Sequence, residues 1–357
     1  MRILHVIPSL SGGGAERQLG YLAPELARMG HDVHIAYSRE DSGKPELPGV
    51  VLHRLKSRSN YDPYLFWQLV RLIRHIKPDI IQTWLLQMDI LGGLAAGFNG
   101  LPWILREQTH PLAYLTPTWK HRLRVRIGSG ARAIVSISRG GDEYWKIQCP
   151  KCRRYVIRNG LPALEVDGTG AAWPPGVTMP KTPIVLYVGR MVALKNPRFF
   201  LEALAYIRMK QEVSGILCGD GPQRSELEVL RHRLGLDASI QFTGHLPAAS
   251  VWALMKKASV FVSLSAYEGG PNTVMEAMRC GCPLVLSDIP AHRETLDESC
   301  ALFVDPSNIQ QTADAIARVM RDTEASKSRI LTARKKTQEW TIAGMAGQYE
   351  KVYQEIL

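Results

Sequence analysis

Residues 258–278 read ASVFVSLSAYEGGPNTVMEAM. The first eight, Ala258 to Ser265, are apolar, rich in Val and Phe, and short, which is the signature of a buried strand. Pro271 suits the first position of a helix, and Val274, Met275, Ala277 and Met278 supply an apolar helical face. The stretch therefore reads as strand, glycine turn, helix. Its helix mouth presents the backbone N–H groups around Asn272 to Val274, which favour an anion. Yet two carboxylates flank that mouth, Glu268 before it and Glu276 within the helix.

The same strand-and-helix alternation extends in both directions. Upstream, strands read at 2–7, 32–37, 50–55, 79–84, 102–107, 131–138 and 154–159, with helices at 15–29, 63–75 and 117–128. Downstream, TPIVLYVG, VSGILCGDG, SIQFTG, PLVLSD and ALFVDP read as strands, with helices starting at Pro197 and Gln223 and near 247–257. Helices fill the remainder. Apolar strands without clean alternation, separated by amphipathic helices, imply parallel sheets covered on both faces. Between the two series, residues 162–183 hold five prolines and little periodicity, the character of a connector. The chain is thus expected to form two doubly wound α/β domains, 1–161 and 184–340, facing each other across a cleft. Ligands in such sheets bind beyond the carboxyl ends of the strands, so the loops there are the candidates for chemistry.

Three further loops stand out. SLSGGGAERQ (9–18) follows the first strand with three successive glycines, which suits either a tight turn or close approach of backbone to a ligand. Arg17 occupies the place of the last small residue of a dinucleotide fingerprint, so that pattern is not met. VGRMVALKN (188–196) brings Arg190 and Lys195 out at a strand end, two cations suited to a diphosphate without a metal. CGDGPQR (218–224) again follows a strand, with Gly219 at its turn and Asp220 able to cap the next helix. In the opening stretch, about 6 Å of helix rise separates Asn272 from Glu276. A diphosphate at the mouth would therefore be bracketed by two carboxylates, each free to meet a hydroxyl. The plainer alternative is that both acids merely favour the helix dipole.

Composition narrows the classes. The 357-residue chain carries a formal net charge of +11, and all of the excess lies in residues 1–159, which hold 23 Lys and Arg against 12 Asp and Glu. The rest is neutral. That balance fits a basic soluble surface, an acidic partner or an anionic membrane. The longest charge-free apolar window, 90–105, is interrupted by Gly, Asn and Pro and is too short to span a bilayer. No secretory signal is read at the start, and the six cysteines are expected as reduced thiols in a cytoplasmic setting. Cys149 and Cys152 have half the spacing of a zinc site but no matching second pair. No Asp-x-Asp occurs, so carboxylate-held Mg²⁺ is not expected, and no nucleic-acid motif accompanies the basic half. Trp119, Leu123 and Ile127 share a helical face beside Lys120, His121, Arg122, Arg124 and Arg126. They read either as core contacts or as an interfacial helix at an anionic leaflet. Trp84-Leu85-Leu86 follows a strand end and is expected to face the cleft.

E-x7-E enclosing E-G-G-P-N, G-R-x4-K upstream, G-D-G-P between them and a Gly-rich first loop together resemble the retaining nucleotide-sugar glycosyltransferases of family four, which have the GT-B fold. The resemblance runs nearly end to end. VIRNGL (156–161) resembles the family's strand into the interdomain linker, and residues 340–357 resemble the C-terminal helix that crosses back onto the N-terminal domain. It implies an N-terminal acceptor-binding domain (1–161), a linker (162–183), a nucleotide-sugar domain (184–340) and a returning helix (341–357). It implies that Glu268 contacts the donor sugar and Glu276 the ribose, and that Arg190 and Lys195 bind the diphosphate. Gly219, Gly269, Gly270, Pro271, Asn272 and Thr273 would line the donor site, and Gly13 and Gly14 would let the first loop approach the donor. His110 in REQTHPL (106–112) would lie beside the transferred sugar, with Trp84 and Leu85 on the acceptor side. The implied activity is metal- and cofactor-independent transfer of a hexose or N-acetylhexosamine, from a nucleoside diphosphate such as UDP, to a glycan or lipid-linked glycan. Reversible contact with an anionic membrane is a further expectation. A nucleotide-sugar epimerase or hydrolase, and a non-catalytic nucleotide-sugar sensor, are the other classes such folds host.

Overall fold

The structure, a computed structural model, describes residues 1–10, 12–39, 46–57, 62–109 and 118–357. The chain divides into two compact units, Met1–Gly160 with Trp340–Leu357, and Leu161–Glu339.

The first unit contains strands β1 (Arg2–Ile7), β2 (Asp32–Tyr37), β3 (Val50–Arg54), β4 (Ile80–Trp84), β5 (Trp103–Glu107), β6 (Ala133–Ser136) and β7 (Arg154–Val156). They form a seven-stranded sheet in the order β3-β2-β1-β4-β5-β6-β7, every pair parallel. Interleaved are helices α1 (Gly14–Arg28), α2 (Tyr64–Ile76), α3 (Leu85–Phe98), α4 (Trp119–Gly128) and α5 (Arg139–Gln148). Buried strand residues of alternating side feed two separate cores. Ile3, Ile7, Ile80, Trp84 and Ile104 pack under α1 and the C-terminal helix, whereas Leu4, Val6, Ile81, Leu105 and Ile134 pack under α2 and α3.

α3 and α5 are the helices of the first unit that the sequence reading lacked, and α3 is the more informative. It is apolar all round, so it has no amphipathic period to detect. Gly92 and Gly93 let it lie tight against the sheet: a Cβ on Gly93 would come within 2.7 Å of the Trp103 ring. The acid on this helix, Asp89, is fully buried and accepts from Thr83 Oγ1 at 2.6 Å and Arg124 Nε at 2.7 Å. Arg124 Nη1 also donates to Glu107 at 2.6 Å, and Trp145 Nε1 donates to the same carboxylate at 2.9 Å. This changes the reading of α4. Arg124 is a buried ion-pair residue rather than a surface cation, Leu123 and Ile127 are half-buried, and Trp119 is exposed. The three apolar positions do not share one environment, because Ile127 packs against the first unit's core while Trp119 is exposed, and of the arginines only Arg124 enters the core. Residues 116–117, where that helix was expected to start, lie outside the described residues.

Cys149 and Cys152 are joined by a disulfide, which corrects the expectation of reduced thiols throughout. The backbone turn that follows α5, closed by Cys152 N donating to Cys149 O at 3.1 Å, sets their Cα atoms 5.5 Å apart. Cys218, Cys282 and Cys300 are free and buried, and Cys280 is free and half-buried.

The second unit opens with α6 (Ala163–Gly168), inside the segment expected to be a connector. Lys256 Nζ donates to the carbonyls of Val166 and Thr169, and Arg279 pairs with Asp167, so this segment is packed onto the unit it precedes. Strands β8 (Ile184–Val188), β9 (Ser214–Cys218), β10 (Ile240–Gly244), β11 (Val260–Ser263), β12 (Leu284–Ser287) and β13 (Leu302–Val304) form a parallel sheet in the order β10-β9-β8-β11-β12-β13. Its helices are α7 (Pro197–Arg208), α8 (Arg224–Arg233), α9 (Ala248–Lys257), α10 (Asn272–Cys280), α11 (Pro290–Arg293), α12 (Ile309–Arg321) and α13 (Thr323–Lys336). The chain then returns to the first unit as α14 (Ile342–Ile356), capped by Thr341 Oγ1 accepting from Gly344 N. Met345, Ala346, Tyr349, Val352, Tyr353 and Ile356 bury one side of α14 in the first unit's core. Among the described residues no helix is long and apolar enough to cross a membrane.

Candidate active site

In each sheet the chain reverses its direction of winding once, between β1 and β4 in the first unit and between β8 and β11 in the second. Connections run to opposite faces at such a point, which leaves a crevice at the carboxyl ends of the two strands. In the second unit Arg190, Lys195 and Glu268 lie there.

In the second unit the loop after β8 carries Arg190 and Lys195, and the loop after β11 carries Glu268. Two hydrogen bonds stitch these loops together. Asn196 takes a left-handed conformation, φ 49°, and its Nδ2 donates to Leu264 O at 2.8 Å. Ala266 N donates to Leu194 O, also at 2.8 Å. Lys195, between Leu194 and Asn196, is thereby held against Glu268, and its Nζ forms an ion pair with Glu268 Oε1. The pair is partly sheltered, with side-chain exposures of 25% for Lys195 and 10% for Glu268. Arg190 is exposed and makes no ion pair among the described residues.

Behind Glu268 stands a polar relay that the sequence reading did not find. Ser265 Oγ donates to Glu268 Oε1 at 2.7 Å. Ser287 Oγ, at the end of β12, donates to Ser265 O at 2.7 Å, and His292 Nδ1 lies 2.8 Å from Ser287 O. Burial pushes the imidazole of His292 down in pKa, partly opposed by the Glu268 carboxylate. The same carboxylate, adding to burial, pushes the Tyr187 hydroxyl upward. Tyr187 Oη donates to Arg190 O at 3.2 Å and so braces the Arg190 backbone. The only signal for the serines was their position at strand ends.

Beyond Glu268, Gly269, Gly270 and Pro271 lead into α10. Asn272 and Thr273 form its first turn, and no side chain caps it. An uncapped helix start one loop from a lysine is an anion-favouring surface. Glu276, one turn further, is buried, and its Oε2 accepts from Trp252 Nε1 at 3.1 Å. Gly219, after β9, has φ 125°, and a Cβ there would lie 2.1 Å from Gly189 O. The backbone of that loop is therefore pressed against the Arg190 loop, and Met191 N donates to Asp220 O at 2.9 Å.

In the first unit the loop after β1 places Gly13 in extended conformation just before α1, which begins at Gly14. Leu85, directly after β4, has φ 69°, an uncommon conformation for a residue with a branched side chain. Such backbone strain concentrates at functional sites. Trp84 does not face open space. Ile80, Gln82 and Trp84 alternate onto the sheet face covered by α1 and α14, so Trp84 is fully buried. Its Nε1 donates to His5 Nδ1 at 3.3 Å, and the Arg106 guanidinium stacks 4.1 Å above its ring. Trp84 is thus a core residue, not an acceptor contact. His110 lies outside the described residues. Among the described residues no group of three or more His, Cys, Asp or Glu is placed to hold a metal ion.

Two parallel doubly wound units, the second with a cation, a carboxylate and a helix start that no side chain caps at its switch point, define a class, the nucleotide-sugar glycosyltransferases of GT-B fold. Residues 12–163 match the model of Glycosyltransferase Family 4 and residues 175–336 that of Glycosyl transferases group 1. The chain belongs to this family of glycosyltransferases. It is 24% identical over 373 residues, 100% of this chain and 99% of the other, to a Campylobacter jejuni α-1,4-N-acetyl-D-galactosaminyltransferase acting on an undecaprenol-diphosphate glycan. It is 26% identical over 265 residues to the α-D-kanosaminyltransferase of Streptomyces kanamyceticus, 71% of this chain and 66% of that protein. Among solved structures, Anabaena HepE with UDP and glucose superposes with a TM-score of 0.84 at 18% identity, over 99% of this chain and 100% of that one.

Proposed function

We propose that the protein is a retaining glycosyltransferase that moves a hexose or N-acetylhexosamine from a nucleoside diphosphate, UDP being the first choice, to a hydroxyl of a glycan or lipid-linked glycan. The observation that carries this reading is the Lys195–Glu268 pair, held across the β8–β11 switch point beside the uncapped start of α10. Lys195, Arg190 and the α10 N-terminus stabilise the diphosphate as it leaves, which is charge stabilisation by preorganised groups. Glu268 accepts from a hydroxyl of the donor sugar, and Glu276 from the ribose. Gly269 to Thr273 and Gly219 shape the donor site. The acceptor oxygen forms its bond to the anomeric carbon on the face from which the phosphate oxygen departs. The acceptor's proton passes to that phosphate oxygen. No divalent metal enters, because the cations and helix dipole already oppose the phosphate charge.

The undecaprenol-diphosphate acceptor named for the Campylobacter relative supports a lipid-linked acceptor here. The basic first unit supports reversible contact with the cytoplasmic face of an anionic membrane. The test is a panel of nucleoside-diphosphate sugars in EDTA, with and without acceptor glycans, following nucleoside diphosphate release and product anomer by NMR. Acceptor-dependent release with an unchanged anomeric configuration is expected. Turnover that needs no acceptor would instead identify an epimerase or hydrolase.

A further inference from the structure

α2, α3 and α4 lie over the same face of the first unit's sheet, sharing the core that contains Leu69, Met88 and Leu105, with Val125 and Ile127 packed against it. Their outward side carries large apolar residues that the core does not use. Tyr64 and Trp67 of α2 are 58% and 57% exposed, and Leu94 and Phe98 of α3 are 45% and 54% exposed. These are one patch. The Trp67 and Phe98 rings meet edge to face at 6.0 Å, and Phe66 contacts both, at 5.1 and 5.9 Å. Contiguous exposed apolar surface of this kind marks an interaction site, whereas scattered single residues would not.

The exposed charges of α2, α3 and α4 are of one sign, and the acid beside them, Asp62, precedes α2 and accepts from Tyr64 N at 2.9 Å. Arg71 and Arg74 continue the Tyr64–Trp67 stripe along α2, and the Arg74 guanidinium lies 5.6 Å from the Phe98 ring centre. Arg122 and Arg126 are the exposed cations of α4. α2 and α4 contain no acidic residue, and the acid of α3, Asp89, is buried against Arg124. Trp and Tyr with Arg, and no exposed carboxylate on the three helices themselves, is the side-chain set of an anionic bilayer interface, where rings enter the headgroup region and cations meet phosphates.

We infer that the α2–α3 aromatic patch is the surface by which this protein docks on anionic lipid. Tyr64, Trp67, Leu94 and Phe98 enter the interface, while Arg71, Arg74, Arg122 and Arg126 supply the electrostatic attraction. The inference rests on the membrane contact proposed above and moves its apolar anchor from α4 to α2 and α3.

The full chain is to be sedimented with vesicles of phosphatidylglycerol and phosphatidylcholine, and with phosphatidylcholine alone. The wild type is expected to bind the anionic vesicles and to be released as salt rises. The variant Trp67→Ser/Phe98→Ser should partition about tenfold more weakly, and Arg71→Gln/Arg74→Gln about fivefold or more, at unchanged nucleoside diphosphate affinity, which checks folding. Trp119→Ser should bind as the wild type does. If the wild type ignores anionic vesicles, the membrane reading falls and this assignment with it. If the wild type binds and Trp67→Ser/Phe98→Ser binds equally well, the assignment alone falls. It falls likewise if those substitutions convert a dimer to a monomer on sizing without changing vesicle binding.

Discussion

Breaking the Lys195–Glu268 pair from either side should give opposite effects on diphosphate binding. Lys195→Met removes a cation whose partner keeps the Ser265 hydroxyl, so Glu268 is not left bare. The pair is neither at the surface nor fully buried. The stability cost should therefore fall between the values for exposed and buried pairs, about 1–3 kcal/mol. That corresponds to a fall in Tm of about 2–4 °C per kcal/mol. The effect on transfer is larger, because the charge on the leaving phosphates grows in the transition state. A loss of about 2–5 kcal/mol is expected, roughly 30- to 5,000-fold in kcat/KM. Glu268→Gln acts differently. It frees Lys195 from its competitor, so free nucleoside diphosphate should bind as well as to the wild type or better. Sugar transfer should nonetheless collapse, since the donor-sugar hydroxyl loses its acceptor. Calorimetric titration with nucleoside diphosphate, alongside steady-state kinetics, separates the two variants. Equal losses of diphosphate affinity in both would refute the division of labour.

Gly219→Ala should weaken donor binding by displacing the Arg190 loop, because the added Cβ meets the Gly189 carbonyl and not a movable side chain; a donor KM equal to wild type would contradict this. Trp252→Phe, which removes the N–H held by Glu276, should raise the donor KM more than it lowers kcat, as steady-state kinetics will show. Burial, aided by Arg106, holds the pKa of His5 down at about 3, while the unfolded chain titrates near the ordinary value of about 6.5. Below that value the unfolded state binds the extra proton, so His5 costs the fold up to about 1.4 kcal/mol per pH unit as pH falls. Urea melts of wild type and His5→Gln at pH 7.5, 6.5 and 5.5 should show the two curves converging or crossing on the acid side.

Much of this was legible in the residues. The strand at 258–265, its glycine turn and the helix beginning beside Pro271 could be read because apolar run, turn and helix signals agree there. The alternation that defines two doubly wound units was equally plain. α3 was not, since apolar residues line its exposed side as well as its buried one and leave no period, and its Gly92-Gly93 pair looks like a break until the sheet beneath it is known. Trp84 was misplaced because its position at a strand end says nothing about which face it takes. That face is covered by α14, contributed from the far end of the chain. Glu268 and Lys195 were named as separate contacts, but their pairing depends on Asn196 reaching Leu264 across the switch point. The Ser265–Ser287–His292 relay depends on neighbouring strands in the same way, and serines at strand ends carry no signature of it.

The central claim is that the β8–β11 switch point of the second unit binds a nucleoside diphosphate through its cations and the α10 start. Its most direct test is isothermal titration of UDP, GDP and ADP, in EDTA, into the wild type and into Arg190→Ala/Lys195→Ala. The account predicts saturable binding of at least one of the three by the wild type, weakened at least about tenfold in the double variant. No binding of any nucleoside diphosphate to the folded wild type, or undiminished binding by the double variant, would contradict it.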